Sequence, residues 1–111
     1  MKILLDESLP RKLKNDFGTD HEVYTVRDRG WLGTKNGALP ALMVGAGFEV
    51  FITVDRNLPS QQNLGKLPLT VFVPRAIDNR RETLARLAPR LLNYLASGNN
   101  LPQVIEVGDQ D

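Results

Sequence analysis

Phe48-Glu-Val-Phe-Ile-Thr-Val54 limits the folds open to this chain more than any other stretch. Glu49, near its start, is its only charged residue. A run this apolar suits a central strand of a parallel sheet, covered on both faces. Parallel neighbours cannot be joined by a tight hairpin; each pair needs a crossover, usually helical. The rest of the chain is therefore expected to alternate strand and helix around this segment.

The pattern meets that demand. Lys2 to Leu5 reads as a first strand. Ser8 to Phe17 reads as a helix, with Leu9, Leu13 and Phe17 at a spacing of four and Gly18 where a C-terminal cap is wanted. His21 to Val26 is rich in β-branched and aromatic residues and reads as a second strand. Asn36 to Gly45 reads as a short helix capped by Asn36, with Pro40 tolerated near its first turn and Gly45-Ala-Gly47 ending it. Leu58 to Pro68 is irregular and polar, and Leu69 to Val73 is a further strand. Asn79 to Ser97 carries the longest helical period, through Leu84, Leu87, Ala88, Leu91, Leu92 and Leu95. Asn79 and Glu82 are spaced as a capping box, and Pro89 predicts a kink or a split into two helices. Gln103 to Val107 reads as the last strand. The expected architecture is α/β: a mostly parallel five-stranded central sheet with helices on both faces, in a single domain spanning residues 1–111.

Composition narrows the chemistry. There is no cysteine and one histidine, His21. Disulfides, thiolate zinc sites, cysteine nucleophiles and His-rich metal sites are thereby excluded. A metal here must be held by oxygen, which points to Mg²⁺ or Mn²⁺. The formal net charge of +1 does not mark a wholesale nucleic-acid binder. Positive charge is local: five arginines between Arg75 and Arg90 face Asp78 and Glu82 alone. No apolar run approaches the roughly 20 residues that span a bilayer, and acids follow Ile3 to Leu5 at once, unlike a secretory signal. A cytoplasmic protein with no membrane partner is expected.

Acids recur at strand ends. Asp6 and Glu7 follow the first strand, Asp28 the second, Asp55 the third and Asp78 the fourth, with Arg80 and Arg81 behind it. In a parallel sheet these are all carboxyl ends, the edge where ligands bind in open α/β sheets. Right-handed crossovers bring strands one and three together if the strand order reverses there. Asp6 and Asp55 are thus the best candidates to converge, with Glu7 beside them as a third catalytic candidate. Asp6, Asp55, Asp28 and Asp78 form the candidate metal set. Two hard cations could stabilise the attacking and leaving oxygens of an in-line phosphodiester displacement. The plainer reading of any one such acid is that it caps a turn or helix. On that reading Asp28 pairs with Arg27 or Arg29, Asp78 caps the long helix, His21 is a strand residue and Trp31 anchors a loop. Arg56, Asn57 and Gln61 lie just after Asp55 and, with Arg80, are candidates to touch phosphates or base edges. Arg56, Asn57 and Gln61 could equally well satisfy their own loop's backbone.

Met1-Lys-Ile-Leu-Leu-Asp-Glu-Ser-Leu-Pro10, Thr25-Val-Arg-Asp-Arg-Gly-Trp31, Ile52-Thr-Val-Asp-Arg-Asn57 and Gln61 together resemble the PIN-like family of small bacterial proteins that open with a DENLP-type motif. The resemblance implies a three-layer α/β/α PIN-like fold. It implies a metal-dependent ribonuclease, the toxin component of a toxin–antitoxin pair, with Asp6 as the first metal-binding acid and Asp55 a later one. Relatives tend to carry a D-G-E-L motif where this chain has Asn36-Gly-Ala-Leu39, so two usually acidic places are neutral. Expected partners are RNA, an antitoxin protein and a second copy of the chain. One alternative is a catalytically degenerate module that binds RNA or a protein. Another is a receiver-like phosphoacceptor, which also begins with an acidic pair after strand one and an Asp after strand three. A receiver needs a lysine after its last strand, and none follows Lys66.

Overall fold

The computed structural model describes residues 1–34, 38–55, 68–76, 78, 80–96 and 103–108. Among these, strands β1 (Lys2–Leu5), β2 (Glu22–Thr25), β3 (Val50–Ile52), β4 (Thr70–Arg75) and β5 (Val104–Gly108) form one sheet. Their order is β2-β1-β3-β4-β5, and every pairing is parallel. The sheet class matches the expectation. β3 lies in the middle, and its three residues are all buried, as its apolar run requires.

Side-chain alternation divides the core between the two faces. Ile3, Leu5, Val50, Ile52 and Phe72 point to one face and pack with Leu13, Leu84, Leu91 and Leu95. Leu4, Phe51, Val71 and Val73 point to the other and pack with Met43 and Phe48. Ile3, Leu4 and Leu5 are wholly buried. Each such side chain contributes about 1.5–3 kcal/mol relative to exposure, so β1 is fixed firmly before it delivers Asp6.

The segment between β1 and β2 differs from its predicted helix. Arg11–Asp16 is a 3-10 helix rather than the middle of an α-helix over Ser8 to Phe17. Pro10 is extended, with ψ of 132°, and the Ser8 hydroxyl is spent on Asp6 instead of capping a helix. Leu9, Leu13 and Phe17 are nonetheless buried, so the apolar spacing identified the residues that reach the core, although only Leu13 lies within the 3-10 helix.

Helix α1 (Leu39–Gly45) covers the second face. It begins with Pro40 in its first turn; the expected cap, Asn36, lies outside the described residues. Its end is a Schellman motif. The Phe48 N–H donates to Met43 O at 2.9 Å and the Gly47 N–H to Val44 O at 3.0 Å, with Gly47 at φ 85°. Met43 and Phe48 then pack together in the core.

The long helical pattern is split, as Pro89 predicts. Helices α2 (Arg81–Ala85) and α3 (Ala88–Ala96) are separated by Arg86 and Leu87. Pro89 lies in the first turn of α3, where its missing N–H costs nothing. Its ring would clash with the carbonyl four residues earlier, at Ala85, which is where α2 stops.

The crossovers do not all share one hand. β1 runs to β2 through the 3-10 helix, toward one edge of the sheet, and β4 runs to β5 through α2 and α3, toward the other edge. Both lie on the same face, so their hands are opposite. The β2–β3 connection through α1, on the other face, shares the hand of the first. Since about 98% of such crossovers are right-handed, the opposed pair is unusual. Its effect is to bring α2 beside the 3-10 helix. There Arg81 holds Asp16 through two parallel bonds, Nε to Oδ2 at 3.0 Å and Nη2 to Oδ1 at 3.1 Å.

Candidate functional site

The strand order reverses between β1 and β3, and that junction is where a ligand is expected in an open α/β sheet. The ladder continues past both strands. The Asp6 N–H donates to Ile52 O at 2.9 Å, and the Thr53 N–H donates to Phe72 O at 3.1 Å. Asp6 and Thr53 therefore leave the sheet side by side.

Thr53 is wholly buried. A hydroxyl in that position must find partners. Its Oγ1 donates to Asp6 Oδ2 at 2.8 Å and accepts the Asp55 N–H at 3.1 Å. Asp6 and Asp55 are thus joined through one threonine. Asp6 Oδ2 also accepts the Ser8 hydroxyl at 2.9 Å, and Oδ1 accepts the Glu7 N–H at 2.8 Å. A carboxylate offers about four lone-pair positions; with three donors placed, about one remains for a cation or a substrate proton. The three bonds also fix the carboxylate's orientation, as a catalytic group requires.

Asp6 and Glu7 line a cleft of about 310 Å³ together with Arg11 and Arg27, and Leu9 and Leu32 form apolar wall. Two acids and two guanidinium groups in one cleft can hold an anionic group and a cation at once. Asp55 is exposed and is tied to this cleft by way of Thr53 and Asp6.

The other acids serve turns. Asp28 and Thr25 bond reciprocally: the Thr25 N–H donates to Asp28 Oδ2 at 2.9 Å, and the Asp28 N–H donates to Thr25 Oγ1 at 3.0 Å. Lys14 Nζ lies 3.3 Å from the same carboxylate, so its ion-pair partner is Lys14 rather than Arg27 or Arg29. The Thr25 N–H, and then Lys14, hold the Asp28 carboxyl below its ordinary value. Asp78 accepts the Arg80 N–H at 3.0 Å and the Thr83 hydroxyl, and these two bonds, the hydroxyl first, lower its pKa. The cap position of α2 is Arg80 and carries no side-chain cap bond, so Asp78 braces the turn before the helix rather than capping it, with Arg80 exposed beside it. Among the described residues no group of three or more His, Asp or Glu side chains stands together as a metal cluster. The donors present suit an ion held by one or two carboxylates with water completing its shell, which is the habit of Mg²⁺.

Arg56, Asn57 and Gln61 lie outside the described residues. His21 lies one residue before β2 rather than within the strand, its Nδ1 standing 3.2 Å from the Met1 amine. Trp31 anchors its loop against Phe48, with ring centroids 5.8 Å apart, under the Arg29 guanidinium. Thr53, Ser8, Arg11 and Arg27 belong to the site and escape a search for acids. Thr53 had a signal: it is a hydroxyl in a strand covered on both faces, two residues before Asp55. No protein-family model, curated protein or solved structure matches the chain.

Proposed function

We propose that this protein is a cytoplasmic, metal-dependent ribonuclease of the PIN-like kind, the toxin component of a toxin–antitoxin pair. The observation that carries the reading is the hydrogen-bonded chain Asp6–Thr53–Asp55 at the sheet's switch point, beside a cleft that also presents Arg11 and Arg27. Asp6 and Asp55 would hold Mg²⁺ or Mn²⁺. Such an ion supplies Lewis acidity toward a phosphoryl oxygen and lowers the pKa of bound water. Thr53, Ser8 and the Glu7 N–H keep the Asp6 carboxylate aimed. Glu7 is exposed in the cleft and assists as a proton acceptor. Arg11 and Arg27 receive the scissile phosphate, and Arg80 a more distant one. Metal-dependent cleavage of single-stranded RNA, lost in Asp6→Asn, is the direct test.

A second reading is an inert PIN-like module that binds RNA, an antitoxin or a second copy of itself. The sparse acid set supports it: Ala38 and Asn36 are neutral, and no three-acid cluster stands among the described residues. Mn²⁺ titration separates the two, since an inert module binds the ion only weakly. The strand order β2-β1-β3-β4-β5 is also that of flavodoxin-like sheets, the order a receiver uses. Acetyl phosphate that labels Asp55 would favour the receiver, against the missing lysine.

A further inference from the structure

A second groove, of about 500 Å³, runs over the 3-10 helix and is lined by Pro10, Arg11, Lys12, Lys14, Asn15 and Arg81. Arg11 lines both this groove and the Asp6 cleft, so the two adjoin at that side chain. We propose that the groove holds the phosphodiester backbone of single-stranded RNA as it leaves the Asp6 cleft.

The lining is cationic, and no carboxylate belongs to it. Asp16 and Asp28 neutralise Arg81 and Lys14 in part. Arg81 uses two of its five N–H donors on Asp16, which leaves three for a phosphate. Arg11 and Lys12 are exposed and have no carboxylate partner among the described residues. Side chains three apart are eclipsed in a 3-10 helix. Arg11 therefore stands in row with Lys14, and Lys12 with Asn15, which gives a cationic row flanked by a mixed one. The α-helix expected from the sequence would have spread these side chains around a wider cylinder.

Charge of this kind favours a nucleic-acid backbone over a protein. Protein interfaces concentrate aromatic side chains at their core and are depleted of lysine; this groove has two lysines and no aromatic ring. A positive groove that tracks the backbone is how proteins hold single strands. Without a stacking ring or a base-reading contact, binding is sequence-tolerant and strongly salt-dependent.

The choice of RNA rests on the ribonuclease reading, so binding and cleavage are measured apart. The test is fluorescence anisotropy of the full chain with a short labelled single-stranded RNA, in EDTA, across a salt series. Each phosphate contact contributes about −0.7 to the slope of log K against log[salt] for a single strand. Lys12→Ala is expected to make the slope shallower by about 0.7, and Arg11→Ala with Lys12→Ala by about 1.4. Arg29→Ala, whose guanidinium lies over Trp31 and Phe48 on the other face, is expected to leave it unchanged. A slope in the double variant equal to that of the wild type overturns the proposal. So does displacement of the RNA by polyglutamate at equal charge concentration, which would assign the groove to an acidic protein segment. RNA bound with the expected slopes but uncut in Mn²⁺ supports the groove and removes the ribonuclease reading. RNA cut in Mn²⁺ with binding indifferent to both variants removes the groove alone.

Discussion

Thr53 Oγ1 stands 2.8 Å from Asp6 Oδ2, although 47 residues separate the two in the chain. The same oxygen accepts the Asp55 N–H, so one buried hydroxyl holds both the Asp6 carboxylate and the Asp55 backbone. The sheet makes this possible, because β1 and β3 are parallel neighbours and end together.

Thr53→Val removes that hydroxyl and keeps the side chain's shape. A hydrogen bond to a charged group is worth about 1.5–3 kcal/mol, and the added apolar burial returns roughly 0.8 kcal/mol. A net loss of about 1–2 kcal/mol is expected in urea unfolding. RNA cleavage should fall further than stability accounts for, and Thr53→Ser should restore most of it.

Asp28 links stability to pH. Its folded carboxyl lies below the ordinary value of 3.8, so the unfolded chain binds the proton more readily. The resulting stabilisation is complete above that ordinary value and is lost as pH falls through the folded value. Asp28→Asn should therefore lower the melting temperature at pH 7, and its deficit should shrink as pH falls below about 4. Thermal scans between pH 7 and pH 3 follow this directly.

Gly47 turns the chain out of α1 at φ 85°, and a Cβ there would meet nothing within 4 Å. The cost of Gly47→Ala is thus conformational alone, about 1–2 kcal/mol. Calorimetry should show a melting temperature several degrees lower, with RNA cleavage unchanged where the protein is folded.

Leu91 is wholly buried between α3 and the sheet. Leu91→Ala removes its contacts and leaves a cavity, at about 2–5 kcal/mol. That is a large share of the roughly 5–15 kcal/mol typical of a domain. The expected result is a large drop in urea midpoint with an unchanged m-value.

Apolar periodicity made most of the fold legible. β1 falls on its predicted residues, the core leucines of α2 and α3 are buried, and Pro89 marks the split between them. Gly47 likewise marks the end of α1. Hydrogen-bond type was not legible. Leu9, Leu13 and Phe17 are buried although only Leu13 lies within the 3-10 helix, and apolar spacing does not reveal that Ser8 bonds Asp6 or that Pro10 stays extended. Chirality was not legible either, since the β4–β5 crossover carries the same leucine pattern on either face. The acids at strand ends identified the edge of the site. Which of them serve turns depended on partners that spacing does not reveal, such as Lys14 for Asp28 and Thr83 for Asp78.

Cleavage of single-stranded RNA by the wild type and by Asp6→Asn, each in Mn²⁺ and in EDTA, tests the central claim most directly. The wild type should cut in Mn²⁺ and stop in EDTA. Asp6→Asn should remain folded and lose several kcal/mol of transition-state stabilisation, on the order of a thousandfold in rate. Metal-loaded wild type that leaves the RNA intact where a control PIN nuclease cuts, or Asp6→Asn as active as the wild type, would contradict it.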